Sequence, residues 1–188
     1  VMTQIFYDVE TTGANYRKHS IISLAGIVEV NGVEVERFDY KLQPHPNAEV
    51  LDEALKVNGI TRDDLLLHDD PCEVLTWFKK VLGRYCNKFD NKDKIYLAGF
   101  NNRAFDDFFL RKWFELCGDQ YFGSWFWTDT RDVLVIASIK LEKERANMPS
   151  FKLSRVAKTL GIPVDENRLH EAMYDVEITR DVYKVLTQ

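Results

Sequence analysis

The chain has no run of 18 apolar residues, and its first residues lack a charged-then-apolar signal pattern. Neither a membrane span nor secretion is therefore expected, and the setting reads as cytoplasmic. Cysteine is scarce: Cys72, Cys86 and Cys117 are an odd number at wide spacings. That argues against a disulfide frame or a zinc site and predicts reduced core thiols in a cytosolic-type compartment. An excess of basic charge is missing too. The formal net charge is −5, whereas nucleic-acid-binding domains are usually basic on at least one face. What is present is apolar residues at 45%, with 13% aromatic, in 188 residues. This is enough to bury one sizeable core and too short to make two domains the default, so residues 1–188 are expected to form a single domain. Val1, ahead of Met2, reads as a cloning remnant.

The most informative stretch is Ile5 to Gly13, IFYDVETTG. Its first half is short, aromatic and β-branched, as in a buried strand, and Thr-Thr-Gly breaks it as a turn would. Side chains two apart on a strand share a face, so Asp8 and Glu10 point together while Val9 packs the other way. Like charges held that close repel, and ionising both at neutral pH calls for a cation between them. All-oxygen ligands favour Mg2+ or Mn2+ over zinc. An isolated D-x-E is more often two solvated carboxylates at a frayed strand end, so the weight falls on what lies downstream.

Ser20 to Val30 and Glu34 to Leu42 are β-rich runs joined by Asn31-Gly32, the strongest short hairpin signal, and Tyr16 to His19 is the loop leading in. Asn47 to Asn58 has a helical pattern closed by Gly59, and Thr61 with Asp64 resembles a capping pair. Pro71 opens a helix whose apolar residues recur with helical spacing to about Tyr85. Ile95 to Phe100 is a buried strand, after which Asn101 and Asn102 are candidate caps for a helix over Ala104 to Cys117, stopped by Gly118. Asp106 lies in its first turn, where the helix dipole alone would favour a carboxylate. Tyr121 to Trp127 reads as a short aromatic strand leading through Thr128-Asp129-Thr130 into a helix from Arg131 to about Arg145. Asn147-Met148-Pro149 breaks that helix, Ser150 starts another, and a last one runs from about Glu171 to Leu186. This order predicts an α/β fold: a five-stranded mixed sheet with an antiparallel hairpin at one edge, strand one in the middle and helices on both faces. Asp8, Glu10 and Asp106 then fall at the carboxyl ends of the strands, where such sheets place their functional crevice.

Two further features bear on the site. His170 and Asp175 would lie roughly 140° apart on one helix. They can converge only if His170 sits in the loop before the helix and Asp175 on its inner face, although a lone His there is more often a surface cap. Between Lys140 and Lys158, six basic residues, including Lys152 and Arg155, face two acidic ones, Glu142 and Glu144. Such a segment could meet phosphates, or could simply be a solvated helix face.

Asp8-Val-Glu10, Asp106 within NNRAFDDFFL, and His170-x4-Asp175 within HEAMYDVEIT resemble the motifs of the DEDDh 3′-to-5′ exonucleases. This is the ribonuclease-H-like, DnaQ-like family of polymerase III epsilon proofreading subunits, RNase T, oligoribonuclease and the mammalian three-prime repair exonucleases. The resemblance runs from about Gln4 to Leu186 and takes in Asn102-x3-Asp106, Ala172, Thr179, Asp129-Thr130 and Leu153 to Pro163. His170 resembles the h branch and not the y branch. Ser23 departs from the acidic or amide residue common in the second strand, and Asn101 departs from a frequent His.

The resemblance implies one exonuclease domain that hydrolyses phosphodiester bonds from the 3′ ends of single-stranded nucleic acid, DNA favoured, by a two-metal mechanism. Asp8, Glu10 and Asp175 would hold the metal that activates water; Asp8 would bridge to a second Mg2+ or Mn2+, which Asp106 supports through water. His170 would be the general base. Thr11, Thr12 and Asn102 would serve the terminal nucleotide. Leu24, Phe105 and Phe109 would stack on or wedge against its base, unless they are ordinary core, and Lys152 and Arg155 would bind phosphates. With no polar tail after Gln188, a free-standing enzyme acting on DNA ends is expected, with a homodimer or a polymerase as candidate partner. An RNA 3′-end-trimming enzyme and a catalytically silent nucleic-acid-binding relative are the alternatives, beside a bland metal-stabilised α/β domain.

Overall fold

The computed structural model describes residues Val1–Gln188. Five strands, β1 (Thr3–Thr11), β2 (Ile21–Val30), β3 (Val33–Lys41), β4 (Ile95–Gly99) and β5 (Arg131–Asp132), form one sheet in the order β3-β2-β1-β4-β5. β1 and β2 are antiparallel, β2 and β3 form the antiparallel edge hairpin, and β4 and β5 run parallel to β1. The sheet is thus mixed, with β1 in the middle, as the sequence predicts. The hairpin turns at Asn31 and Gly32, both at positive φ (50° and 80°), the conformation that makes Asn-Gly favourable there.

β1 alternates between two cores. Ile5, Tyr7 and Val9 face the aromatic layer of α3 (Pro71–Tyr85) and α4 (Asp106–Leu116). Phe6 faces the other way, with Ala25, Ile27 and Ala98, onto Ala172 and Val176 of α8 (Ala172–Thr187). α6 (Val133–Lys140) and α7 (Leu153–Thr159) pack outside α8 through Val133, Val156 and Val182. Ion pairs tie α8 to the hairpin: Lys184 to the buried Glu29 at 2.7 Å, Arg37 to Glu177 at 2.5 Å, and Arg180 to Glu34. The part of α8 that follows Asp175 is therefore held against the hairpin. At Gly26 the Phe38 ring lies over the backbone, where an added Cβ would sit 2.2 Å from the ring.

Several expectations are corrected. α1 covers only Asp52–Val57, because the residues before it run alongside the β1–β2 loop, with Glu49 N–H donating to Lys18 O and Leu51 N–H to Thr12 O. Thr61 and Asp64 do form a capping box, on α2 (Arg62–Leu66). Asn101 and Asn102 do not cap α4: Asn101 is left-handed (φ 64°) and Asn102 opens a short 3₁₀ turn, Asn102–Ala104. Tyr121 to Trp127 is not a strand. It holds α5 (Phe122–Trp125), with Phe122 drawn into the core against Phe114; Phe126 keeps a single parallel bridge to Ile95 of β4, and the strand pairing with β4 falls to Arg131–Asp132. Asp132 then caps α6, which stops at Lys140, short of Arg145.

The cysteine expectation is overturned for two of the three. Cys72 and Cys117 form a disulfide, 45 residues apart in sequence with Cα atoms 5.3 Å apart, and only Cys86 is a free, buried thiol. The wide spacing conceals that the start of α3 meets the end of α4, a contact also made by the Trp113 indole N–H donating to Pro71 O at 2.9 Å. No helix is long and apolar enough to cross a membrane.

Candidate active site

Asp8 and Glu10 leave the end of β1 on the α8 side of the sheet, and Asp175 comes from the first turn of α8. Carboxylate oxygens of these three half-buried residues lie within 4.8 Å of one another. Asp106, the first residue of α4 and only 5% exposed, approaches from the β4 side. β4 pairs with β1 only as far as Phe6, and beyond that point the Val9 N–H donates to Asp106 Oδ1 at 3.2 Å. The structure thus gathers Asp8, Glu10 and Asp175 directly and sets Asp106 behind them.

Proton affinity reports the crowding. Burial, then the charges of Asp106, Glu10 and Asp175, hold the Asp8 carboxyl well above the usual range. Burial and Asp175 push Glu10 up to about 8. Burial pushes Asp106 up to about 7 against the Val9 hydrogen bond, and Asp175 up to about 6 against the His170 N–H. Asp175 Oδ1 is buried without a hydrogen-bond partner. An all-oxygen donor set with one buried oxygen unpaired fits a hard divalent cation.

His170 lies in the loop before α8, with φ 73°, and its N–H donates to Asp175 Oδ2 at 3.3 Å. His170 thus sits in the loop before the helix, as the five-residue spacing requires, but it is its backbone that meets Asp175, and its side chain is exposed. His170 and Glu10 line one cavity of about 330 Å3 together with Ser23, Lys41, Asn58 and His68. A larger cavity of about 720 Å3 lies at the opposite end of β1, by Thr3 and Tyr85, away from the acids.

The expected substrate contacts divide. Thr11 Oγ1 donates to Gly13 O (2.8 Å) and Thr12 Oγ1 to Glu49 O (2.7 Å); both threonines are buried and spend their hydroxyls shaping the loop after β1. Asn102 is fully buried, and its amide donates to Asp107 (3.1 Å) and Thr130 (2.6 Å), so it fixes the β4–α4 turn. Leu24 (0% exposed) and Phe109 (2%) are ordinary core, the alternative left open for them. Phe105 is half-buried beside Asp106, 4.8 Å from the Phe109 ring. Lys152 and Arg155 are exposed at the start of α7.

Three residues near the acids escaped the sequence reading. Lys41 Nζ donates to Ser23 Oγ at 2.8 Å and partly offsets the raised proton affinity of Asp8 and Glu10. Its signal was the hairpin register, which lines up Glu10, Ser23 and Lys41 across three strands. Tyr7 donates its hydroxyl to Asp107, the second acid of a doublet of which the motif uses only the first.

Residues 5–183 match the family model RNase T, described as exonuclease. The chain is 29% identical over 187 residues to the PolC-type DNA polymerase III of Staphylococcus aureus strain bovine RF122 / ET3-1, and equally to that of strain MW2. Each match covers 99% of this chain and 11% of the relative, so the chain spans about 11% of the length of these curated relatives. Among solved structures, E. coli exonuclease I in complex with a dT13 oligonucleotide superposes with a TM-score of 0.80 at 21% identity, over all of this chain and 41% of that one. The zinc-bound form of the E. coli exonuclease I complex with single-stranded DNA gives 0.79 at 21%, over 99% and 40%. The fold is therefore the ribonuclease-H-like α/β fold of such nucleases.

Proposed function

The chain belongs to the RNase T exonuclease family, and on that premise we propose that it is a divalent-metal-dependent 3′-to-5′ exonuclease releasing nucleoside 5′-monophosphates from single-stranded DNA. The observation that carries this reading is the meeting of Asp8, Glu10 and Asp175 within 4.8 Å, with His170 tied to the third acid and facing the same cavity as the second. Asp8, Glu10 and Asp175 would hold one Mg2+ or Mn2+, and Asp8 with Asp106 a second. When bound, the ions supply charge neutralisation at the phosphoryl oxygens and make water a better nucleophile. His170 takes the proton from the attacking water as that oxygen bonds to phosphorus and the P–O3′ bond breaks, the proton returning to the leaving 3′ oxygen. Asp175 keeps that imidazole in place through the His170 backbone, and Lys41 places a cation beside Glu10 for the phosphate.

DNA is favoured because the PolC-type relatives are DNA polymerases, and the same likeness supports a proofreading role with a polymerase as partner. Incubation with a labelled single-stranded oligonucleotide tests the reading. Mononucleotides should accumulate with Mg2+ or Mn2+, cease with EDTA and resume when the metal is restored. An intact oligonucleotide under all three conditions would overturn it.

A further inference from the structure

Tyr16 and Phe108 stack face to face, with ring centroids 5.1 Å apart and planes 18° apart, on the α4 side of the site. The loop after β1 carries Tyr16 and the first turn of α4 carries Phe108, two residues beyond Asp106. Phe108 is 46% exposed, which leaves a large aromatic group facing solvent. Cations surround the pair. The Arg17 guanidinium lies 5.6 Å from the Tyr16 centroid, and its Nε donates to the Tyr16 hydroxyl at 3.2 Å. Tyr16, Arg17 and Phe108 line a cavity of about 500 Å3 with Arg111, Lys112 and Glu115, whose only carboxylate is already engaged by Lys112 at 3.2 Å. An adjoining cavity of about 100 Å3 shares Tyr16, Arg17 and Lys112 and adds Lys18, His19 and His45, with no acidic residue in its wall.

A protein with net charge −5 therefore concentrates cations and exposed rings in one groove. The groove is packed one core ring away from the residue beside Asp106: buried Phe109 lies 4.8 Å from Phe105 and meets Tyr16 edge-on at 6.5 Å. The platform is also preformed. His19 Nδ1 accepts the Asn15 N–H at 2.9 Å, and Thr12 N–H donates to Ser20 O at 2.9 Å, so the loop closes on itself without a ligand.

We propose that the Tyr16–Phe108 stack, flanked by Arg17, Arg111 and Lys112, is the docking surface for the single strand upstream of the scissile bond. Bases stack on the rings and phosphates lie on the cations, a combination that holds single strands without reading sequence. Arginine suits the role through its planar, fork-like charge. The inference rests on the exonuclease reading, and it places strand binding on α4, away from the Lys152 and Arg155 surface of α7.

Steady-state hydrolysis of oligothymidylates of two and ten nucleotides in Mg2+ is the test. A dinucleotide offers only the scissile bond and no further strand. Wild-type protein should show a lower KM for the longer strand. Phe108→Ala should raise that KM about tenfold, a rise exceeding any fall in kcat, and Phe108→Trp should restore it. The exposed pair Arg17→Ala with Arg111→Ala, whose guanidiniums lie over the Tyr16 and Phe122 rings and whose Tm is therefore compared with wild type, should raise it as well and flatten its salt dependence by about 1.4 at roughly 0.7 per phosphate contact. An unchanged KM for the longer strand in both the Phe108→Ala and the double-arginine protein overturns the proposal. If wild-type protein cleaves neither strand, the exonuclease reading fails separately. Fluorescence anisotropy of a labelled ten-nucleotide strand then decides: a tenfold loss of affinity in these variants supports the platform, and equal affinities refute it.

Discussion

The backbone N–H of His170 donates to Asp175 Oδ2 at 3.3 Å, with His170 held in a left-handed conformation at φ 73°. A non-glycine residue in that region is strained and persists there only because its surroundings enforce it, and the inference runs from the outlier to function. Here the left-handed turn lets the His170 backbone meet Asp175 and leaves the exposed side chain in the wall of the cavity that Glu10 also lines. His170→Ala or His170→Gln should lower turnover by roughly 10²–10⁴, as for a lost general base, with divalent-ion affinity little changed. Loss of metal affinity by calorimetry would make His170 a ligand instead. His170→Gly should be equally inactive yet no less stable, since glycine adopts positive φ freely.

Asp8→Ala and Asp175→Ala should each abolish hydrolysis. Each also removes a charge from a repulsive cluster, so the metal-free variants should melt at or slightly above the wild-type temperature. Activity above a small fraction of wild type in either variant would count against the ligand assignment.

Stability of the metal-free protein should fall as pH rises. Glu10 is pushed up to about 8, Asp106 to about 7 and Asp175 to about 6, against unfolded values near 4. For each group the folded state binds its proton more tightly than the unfolded state. Their favourable contribution is therefore complete below about pH 4 and is lost progressively up to about pH 8. Thermal melts in EDTA between pH 5 and 8.5 should show Tm declining, and saturating Mg2+ should reverse the decline at the alkaline end. A metal-free Tm that rises across this interval would contradict the crowded-carboxylate account.

Lys152→Ala with Arg155→Ala tests the basic segment of α7. If it contacts phosphates, the double variant should weaken single-strand binding and flatten its salt slope by about 1.4, at roughly 0.7 per contact. An unchanged slope, with the Arg17 and Arg111 slope reduced, would move strand binding to α4.

The parts of the fold readable in sequence were those set by local chemistry. Asn31-Gly32 dictated the hairpin, Pro71 a helix start, and Gly118, at φ 77°, a helix end. The acids and His170 stood out only through the resemblance to the exonuclease motifs, because a D-x-E at a strand end, an Asp in a first helical turn and a lone His each have an ordinary reading by themselves. What was hidden depended on distant partners. The Cys72–Cys117 pairing depends on α3 crossing α4, and Tyr121 to Trp127 resembles a strand until the ring of Phe114 supplies a reason to coil. Thr12 and Asn102 read as substrate contacts because the sequence cannot show that the Thr12 hydroxyl goes to Glu49 O and the Asn102 NH2 to Asp107 and Thr130. Lys41 was missed because its place beside Glu10 comes from register across two neighbouring strands.

Polarity of hydrolysis tests the central claim most directly. A single-stranded DNA oligonucleotide labelled at its 5′ end, and the same strand labelled at its 3′ end, would be digested in Mg2+ in parallel with an Asp8→Ala control. A site at the end of β1 built as described should release the 3′ label at once as a mononucleotide and shorten the 5′-labelled strand one nucleotide at a time. A blocked 3′ hydroxyl should slow both, and the control should do neither. Release of the 5′ label first, internal cleavage, or equal digestion by the Asp8→Ala protein would contradict the account.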